Sequence, residues 1–517
     1  MASSFHIENF GCRAARADGE AVASLLRAAG MREDQHANAD VVVVNTCSVT
    51  GEADREARAF IRRANRLNPG ARIVATGCYA QRAPEELAAL PGVAAVVGNS
   101  HKALTPEIAL YLVDLASSSG PGLKGHGFSR ANCAKEITGA SAPEGIPSSI
   151  IPIQSLLTSS SNSNHALVLV DDTFAHSFLE AAPVLPGAQT RPNLKIQEGC
   201  GNRCSFCVIP QTRGSSRSLP SASVLHQIAS FVAAGGKELV LSGINLGRWG
   251  RDFSASEQTR TLASLVRRIF AETDLPRLRL SSIEPMDWDR ELMSVMDEFG
   301  GSRLARHVHL PLQSGSDAVL RCMHRRYRPW HYAEKVADLF KVAGPELTLG
   351  ADVIVGFPGE TDHEFSETLA FIRELPFGYL HLFPFSARPG TSAWQLHADS
   401  PLSAGVVEER MSELRALATE KSRAHRLQFV SQELDAITLH TPPALEAAGR
   451  TSALSANFLP IELNACLQAN RLERIHVTGL SEDGALLATS AQQEITESHD
   501  RDWPLPASAA ETVQFAL

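Results

Sequence analysis

Two stretches of this chain, residues 5–78 and 190–400, alternate short β-branched runs with amphipathic helical patterns. That rhythm constrains the fold more than any other feature. Parallel strands need a crossover long enough for a helix, so strand–helix–strand repetition specifies parallel sheet covered by helices. In the first stretch FHIENF reads as a short strand and RADGEAVASLLRAAG as an amphipathic helix stopped at Gly30. VVVVN (Val41 to Asn45) reads as a strand buried on both faces, and RIVATG as another. Between them, residues 52–67 form a charged helix that ends before Asn68-Pro69-Gly70. This βαβαβ order predicts an open parallel sheet. The second stretch offers six strands: LKIQ (194–197), ELVLSG (238–243), RLRLSS (277–282), HVHLPL (307–312), GADVIVGF (350–357) and YLHLFPF (379–385). Helical patterns lie between most of them, which predicts a partial or complete β/α barrel.

The rest is different in texture. Residues 115–187 are rich in Ser, Gly and Pro and read as insertion or linker, with HALVLVDD as a short strand inside it. A charged helix near 404–430 is followed by LDAITLH, RTSALSAN, PIELNA, RIHVTG and ALLA, the pattern of a small all-β domain. The fold class is therefore α/β. An N-terminal open parallel domain (1–114), the insertion (115–187), a barrel domain (188–428), a small β domain (429–490) and a polar tail (491–517) are expected.

Composition excludes little but directs the search. No run of 18 apolar residues exists, so no membrane helix is expected, and MASSFHIENFGC lacks the regions of a signal peptide. A cytoplasmic location is the expectation. The net charge of −9 argues against nucleic-acid binding by the whole surface. A local basic groove remains open: Arg321, His324, Arg325, Arg326 and Arg328 cluster, with Arg303, Arg306, His307 and His309 upstream. Nine cysteines in such a chain suggest metal ligands, nucleophiles or core residues rather than disulfides. Cys133, Cys322 and Cys466 have no patterned partners and read as structural.

Cys200, Cys204 and Cys207 stand in a C-x3-C-x2-C spacing directly after LKIQ. Three thiolates in a short loop favour an iron–sulfur cluster or zinc. Structural zinc takes four ligands, and no fourth lies in this loop. A cubane cluster held by three cysteines leaves one iron open to a small chelating molecule. The motif resembles the signature of the radical S-adenosylmethionine (SAM) superfamily, in which that iron binds SAM and an electron cleaves it. The resemblance implies that Phe206 packs near the adenine and that Gly236 and Glu238 meet the methionine amino group. It further implies that Glu284, Gln313 and the segment through Val355 (GADVIVGFPGE) line the cofactor pocket.

Cys12, Cys47 and Cys78 are far apart in sequence but close equivalent segments: FHIENFGC, VVVVNTC and IVATGC. Each falls at the C-terminal end of an expected parallel strand, the edge where open α/β sheets bind ligands. They read as a second three-cysteine cluster site, against the plainer reading of three buried core cysteines.

Together with HLPLQSGSDAVLRCMHRRY and LFPFSARPGT, these segments resemble the methylthiotransferase family. The resemblance implies two [4Fe–4S] clusters, SAM, a C-terminal TRAM-like barrel and an electron donor such as flavodoxin or ferredoxin. Cys12-Arg13, NTCSVT and EADREARAFIRRA are most similar to the branch acting on N6-threonylcarbamoyladenosine in the tRNA anticodon loop, although Arg16 stands where that branch often has Asn. Other branches act on isopentenyladenosine or on an aspartate of a ribosomal protein. A non-catalytic iron–sulfur electron carrier is the reading from another class. Arg213, Arg217, Arg325, Arg326 and Arg328 are the candidate tRNA contacts.

Overall fold

The computed structural model describes residues 3–118, 166–174, 184 and 190–490. Most of the expected insertion, the polar tail and Cys133 lie outside these residues. By packing, the chain forms two units. One comprises Met1–Pro183, Glu198–Arg217 and Ser386–Thr391, the other Val184–Gln197, Ser218–Phe385 and Ser392–Leu517.

The first unit is built on six strands: β1 (Ser4–Asn9), β2 (Arg32–Glu33), β3 (Val41–Thr46), β4 (Arg72–Gly77), β5 (Val93–Gly98) and β6 (Leu167–Leu169). All pairings are parallel, in the order β2-β1-β3-β4-β5-β6. β3 shows why its sequence carries no polar alternation. Val42 and Val44 pack with Phe60 and Ile61 of the helix Gly51–Leu67. Val41 and Val43 pack on the opposite face with Val22 and Leu26 of the helix Arg13–Ala28. Each valine so buried contributes about 1.5–3 kcal/mol relative to exposure. The helix Gly51–Leu67 starts where Thr50 accepts a hydrogen bond from the Ala53 N–H and where Glu52 and Asp54 face the positive helix end. The strand expected in HALVLVDD is β6.

The second unit carries β7 (Asn193–Glu198, its last residue grouped with the first unit), β9 (Glu238–Gly243), β10 (Arg277–Leu280), β11 (His307–His309), β12 (Thr348–Val355) and β13 (Phe377–Pro384). β7–β9, β9–β10, β11–β12 and β12–β13 pair in parallel. A two-residue β8 (Arg217–Ser218) flanks β7. The six expected barrel strands are thus present, as a four-stranded and a three-stranded sheet rather than a closed ring.

The helix Ala404–Leu427 leads into β14 (Glu433–Thr438), β15 (Thr451–Ser455), β16 (Pro460–Leu463), β17 (Leu472–Leu480) and β18 (Leu486–Ser490), which close as β14-β15-β16-β18-β17. Closure removes free sheet edges and encloses a core of Leu434, Ile461, Leu463, Ile475, Val477 and Leu486. The segment PPALEAAG does not break this barrel. It forms the short helix Pro443–Ala447 between β14 and β15. Cys322 and Cys466, read from the sequence as structural, are both exposed.

One histidine gives this unit a pH dependence. Burial, aided by the neighbouring Arg426, pushes His425 down to about 4, and its Nε2 lies 2.9 Å from Thr348 Oγ1. In the unfolded chain the ring takes a proton near 6.5, so between 6.5 and about 4 the unfolded state binds more protons. The contribution is fully present above 6.5 and is lost as pH falls toward about 4, a total of about 3 kcal/mol. Urea denaturation midpoints between pH 7.5 and 4.5 should fall less steeply in His425→Gln than in the wild type. Parallel slopes in the two proteins would remove His425 as the source.

Candidate active site

β1, β3 and β4 are neighbours in the first sheet, and their register aligns Asn9 with Asn45 and Thr46 with Gly77. The next residues in each strand bring Cys12, Cys47 and Cys78 to one sheet edge. Cys47 and Cys78 are buried and Cys12 is exposed. Two glycines make the approach possible. A side chain on Gly11 would lie 2.4 Å from the Cys47 sulfur, and one on Gly77 would lie 2.3 Å from the Thr46 carbonyl oxygen. Both have positive φ, +94° and +98°. Burial, together with the nearby Cys12 and Cys78 sulfurs, pushes the Cys47 thiol up to about 12. A buried thiol whose ionisation is opposed by two neighbouring sulfurs suits a cationic centre that would offset the charge. This donor set therefore fits an iron–sulfur cluster. The Asn99 side-chain amide and Arg213 Nε donate to the Cys78 sulfur at 3.4 and 3.2 Å, and the Val49 N–H to Cys47 at 3.5 Å.

The second cysteine loop packs in this same unit. The Cys200 N–H donates to the Gly214 carbonyl at 3.0 Å, which closes the loop at its base. The Asn202 N–H donates to the Cys200 sulfur at 3.4 Å, and the Cys207 N–H to the Cys204 carbonyl at 3.2 Å. All three cysteines and Phe206 are half-buried. Three sulfurs with partial access, and no fourth cysteine in the loop, fit a cluster with one open iron.

Several expected site residues are committed to partners within the protein. Arg213 is not presented to a substrate: it is completely buried and pairs with Glu198 at 2.5 Å and Asp18 at 3.3 Å. Burial alone would lower its pKa, but Cys78, Glu198 and Asp18 outweigh it and hold the guanidinium charged. Arg217 folds back over the Phe174 ring and donates to the carbonyls of Ser215 and Arg213.

The Gly236 and Glu238 expectation is corrected by strand direction. Both lie at the start of β9, whereas loops after strands form the reaction face of a β/α barrel. A side chain on Gly236 would lie 2.2 Å from the Phe231 ring, so this glycine serves packing. Glu238 is fully buried and pairs with Arg279 at 3.0 Å, Arg277 at 3.4 Å and Arg191 at 3.6 Å. Burial raises its pKa, yet these guanidiniums outweigh burial and hold the carboxyl below its usual range. At the other end of β9, Gly243 pairs with Gln197, and Gln197 Oε1 accepts from the Asn245 N–H at 2.7 Å. Counting from the strand's end rather than its start finds this Gly243-Ile244-Asn245 segment.

Arg325 is also committed internally, to Glu284 at 2.5 Å and to the Tyr327 ring. This corrects its assignment as a phosphate contact and gives Glu284 a fixed partner. Much of the basic groove is engaged within the protein. Arg321 and Arg328 pair with Asp317, Arg306 with Glu346, and Arg303 donates to the carbonyls of Phe270, Thr273 and Leu275. Arg326 and His324 remain exposed. Gln313 has φ +66° and bridges to Val353, its carbonyl accepting from the Ile354 N–H. The Val355 side chain is buried, in phase with Val353 and Ala351, away from the face that carries Asp352 and Ile354.

That face holds a group which the cysteine motifs did not reveal. His309, Asp352 and His381 come from β11, β12 and β13. His309 Nε2 lies 3.2 Å and His381 Nδ1 3.3 Å from the same Asp352 oxygen. His309 Nδ1 lies 3.0 Å from Ser282 Oγ. Although burial pushes the Asp352 carboxyl up, the two imidazoles hold it well below the usual carboxylate range. The signal was present in HVHLPL, GADVIVGF and YLHLFPF as polar residues inside strand patterns.

Parallel barrel strands joined to a three-cysteine loop define a radical SAM protein. Comparison agrees: the model of the radical SAM superfamily matches residues 194–372, and that of an uncharacterized protein family, UPF0004, matches residues 4–98. The chain is 35% identical over 84% of its length to the threonylcarbamoyladenosine tRNA methylthiotransferase MtaB of Bacillus subtilis, covering 84% of that protein. The MtaB of Aquifex aeolicus is 31% identical, over 84% of this chain and 90% of the relative. The tRNA-2-methylthio-N(6)-dimethylallyladenosine synthase of Sorangium cellulosum is 34% identical, over 79% of this chain and 76% of the relative. The chain belongs to the radical SAM methylthiotransferase family, and it is an enzyme of that class. Membership implies SAM and a [4Fe–4S] cluster. Among the described residues no helix is long and apolar enough to cross a membrane.

Proposed function

We propose that this enzyme transfers a methylthio group to C2 of N6-threonylcarbamoyladenosine, at the adenosine adjacent to the anticodon of tRNA. The observation that carries this reading is the presence of two three-cysteine sets in one packed unit. The relatives at 35% and 31% identity, named for that nucleoside, support the choice of substrate.

The C2–H bond of an adenine is unactivated, and no side-chain base removes its proton readily. A [4Fe–4S] centre held by Cys200, Cys204 and Cys207 supplies reductive cleavage of SAM, and a second held by Cys12, Cys47 and Cys78 supplies the sulfur. The chain's own residues do the rest. The Cys200–Gly214 hydrogen bond closes the loop around its three thiols. Phe206 offers an apolar face for the adenine of SAM. Arg326, exposed on the second unit, contacts the nucleic-acid backbone, and the Arg328–Asp317 pair fixes the turn beside it. The electron comes from a small redox protein such as flavodoxin or ferredoxin.

Mass spectrometry of tRNA nucleosides from cells with and without the gene tests this. Loss of 2-methylthio-N6-threonylcarbamoyladenosine on deletion, restored by the wild type but not by Cys204→Ala, is the expected result. Loss of the methylthio-isopentenyl nucleoside instead selects the second reading, which the 34% identical relative favours. An unchanged profile overturns the tRNA assignment and directs the search to a ribosomal-protein aspartate.

A further inference from the structure

A fully buried guanidinium is costly unless its N–H groups find acceptors. Arg213 satisfies only part of its edge. Nη1 donates to Glu198 and Asp18, and Nε donates to the Cys78 sulfur, while Nη2 is buried with no hydrogen-bond partner among the described residues. Charge balance accounts for the Nη1 contacts and not for the Nε–Nη2 edge. Asp18 and Glu198 are already matched by Lys102, which pairs with Asp18, and by Arg213 itself. Nε and Nη2 form one edge of the planar group, so the unfilled donor faces the same side as the sulfur contact. Asn99 adds a second donor to Cys78 and at the same time donates to the Thr212 carbonyl, one residue before Arg213.

We infer that Arg213 is a positioning residue for the centre held by Cys12, Cys47 and Cys78, its Nε–Nη2 edge donating to Cys78 Sγ and to a second, anionic sulfur of that centre. The inference rests on the reading that these cysteines hold a cluster. Two consequences follow from hydrogen bonds aimed at cluster sulfur. They stabilise the more negative, reduced state, so they raise the reduction potential. They also tie the two cysteine sets together, because Glu198 and Arg213 flank Cys200–Cys207 in sequence and pair with each other.

The test uses the full chain carrying Cys200→Ala, Cys204→Ala and Cys207→Ala, so that a single cluster remains. This protein is labelled with 15N-arginine, reduced, and examined by pulsed electron paramagnetic resonance. A 15N coupling to the cluster is expected, and it should vanish in Arg213→Lys. In a redox titration the midpoint of Arg213→Gln should shift to a more negative potential at unchanged iron content. Absence of the 15N coupling overturns the inference, and so does an unchanged midpoint in a variant that retains its iron. If the Arg213 variants hold no iron, the coupling in the protein with Arg213 intact still decides. If the protein lacking Cys200, Cys204 and Cys207 holds no iron at all, the two-cluster reading fails first, and the inference falls with it.

Discussion

Cys47→Ala is expected to leave reductive cleavage of SAM in place and to abolish methylthio transfer, while Cys204→Ala abolishes both. Cys47 lies at the end of a strand buried on both faces, with its sulfur against Gly11 and close to Cys12 and Cys78. Its loss would remove one of the three thiolates proposed to hold the second centre, whereas the loop at Cys200–Cys207 is a separate structure closed on Gly214. Iron should fall from about eight to about four atoms per chain in either variant, as expected for the loss of one of two cubane clusters. Transfer should drop by more than about a hundredfold, equivalent to about 3 kcal/mol or more of transition-state stabilisation. Product formation, 5′-deoxyadenosine release and iron are measured side by side. A Cys47→Ala protein that keeps about eight irons and transfers normally would sink the second cluster.

Glu238→Ala should destabilise the second unit by about 3–5 kcal/mol, the cost of leaving buried cations without their anion. The side chains of Arg279 and Glu238 are both 0% exposed, and Arg277 is nearly so. Burial lowers Arg277 from its usual range, and Glu238 is the main group that offsets this. Removing the carboxylate strands two guanidiniums in a low-dielectric site. Glu238→Gln should cost less, since it keeps a hydrogen-bond acceptor for Arg279. Denaturant midpoints measure the loss, and SAM binding by the protein that remains folded measures the other half. The expected dissociation constant is unchanged. A large loss of SAM affinity with stability intact would restore Glu238 to the cofactor pocket and contradict its place at the start of β9.

Much of this molecule is legible in the order of its residues alone. Strand and helix periods are local properties, so β3, β4 and the barrel strands follow from runs such as VVVVN and ELVLSG. The cysteines are legible for a related reason: each follows a strand, and in parallel sheets the residues after strands collect at one edge. The motif at 199–207 shows three thiols in one loop by spacing alone, and its SAM chemistry is what the resemblance to the radical SAM signature implies.

The arginines were not legible in the same way. Arg213, Arg325 and Arg326 look alike in sequence, as cations beside a motif. The first is buried against Asp18, Glu198 and Cys78, the second is held by Glu284, and the third is exposed. Their partners lie up to 195 residues away. The Gly236 and Glu238 expectation failed by one strand length, because a glycine–glutamate pair reads the same at either end of a strand and only the parallel register tells which end faces the chemistry.

Sequence by itself determined the sheet type, the succession of most strands along the chain and the two sets of three cysteines, because these rest on hydrophobic period and on spacing along the chain. Only the tertiary structure decided which charged groups are neutralised inside, that His309, Asp352 and His381 share one carboxylate oxygen, and that Arg213 faces Cys78. A charge is cheap or costly according to what surrounds it, and those surroundings come from segments that meet only when the sheets pair.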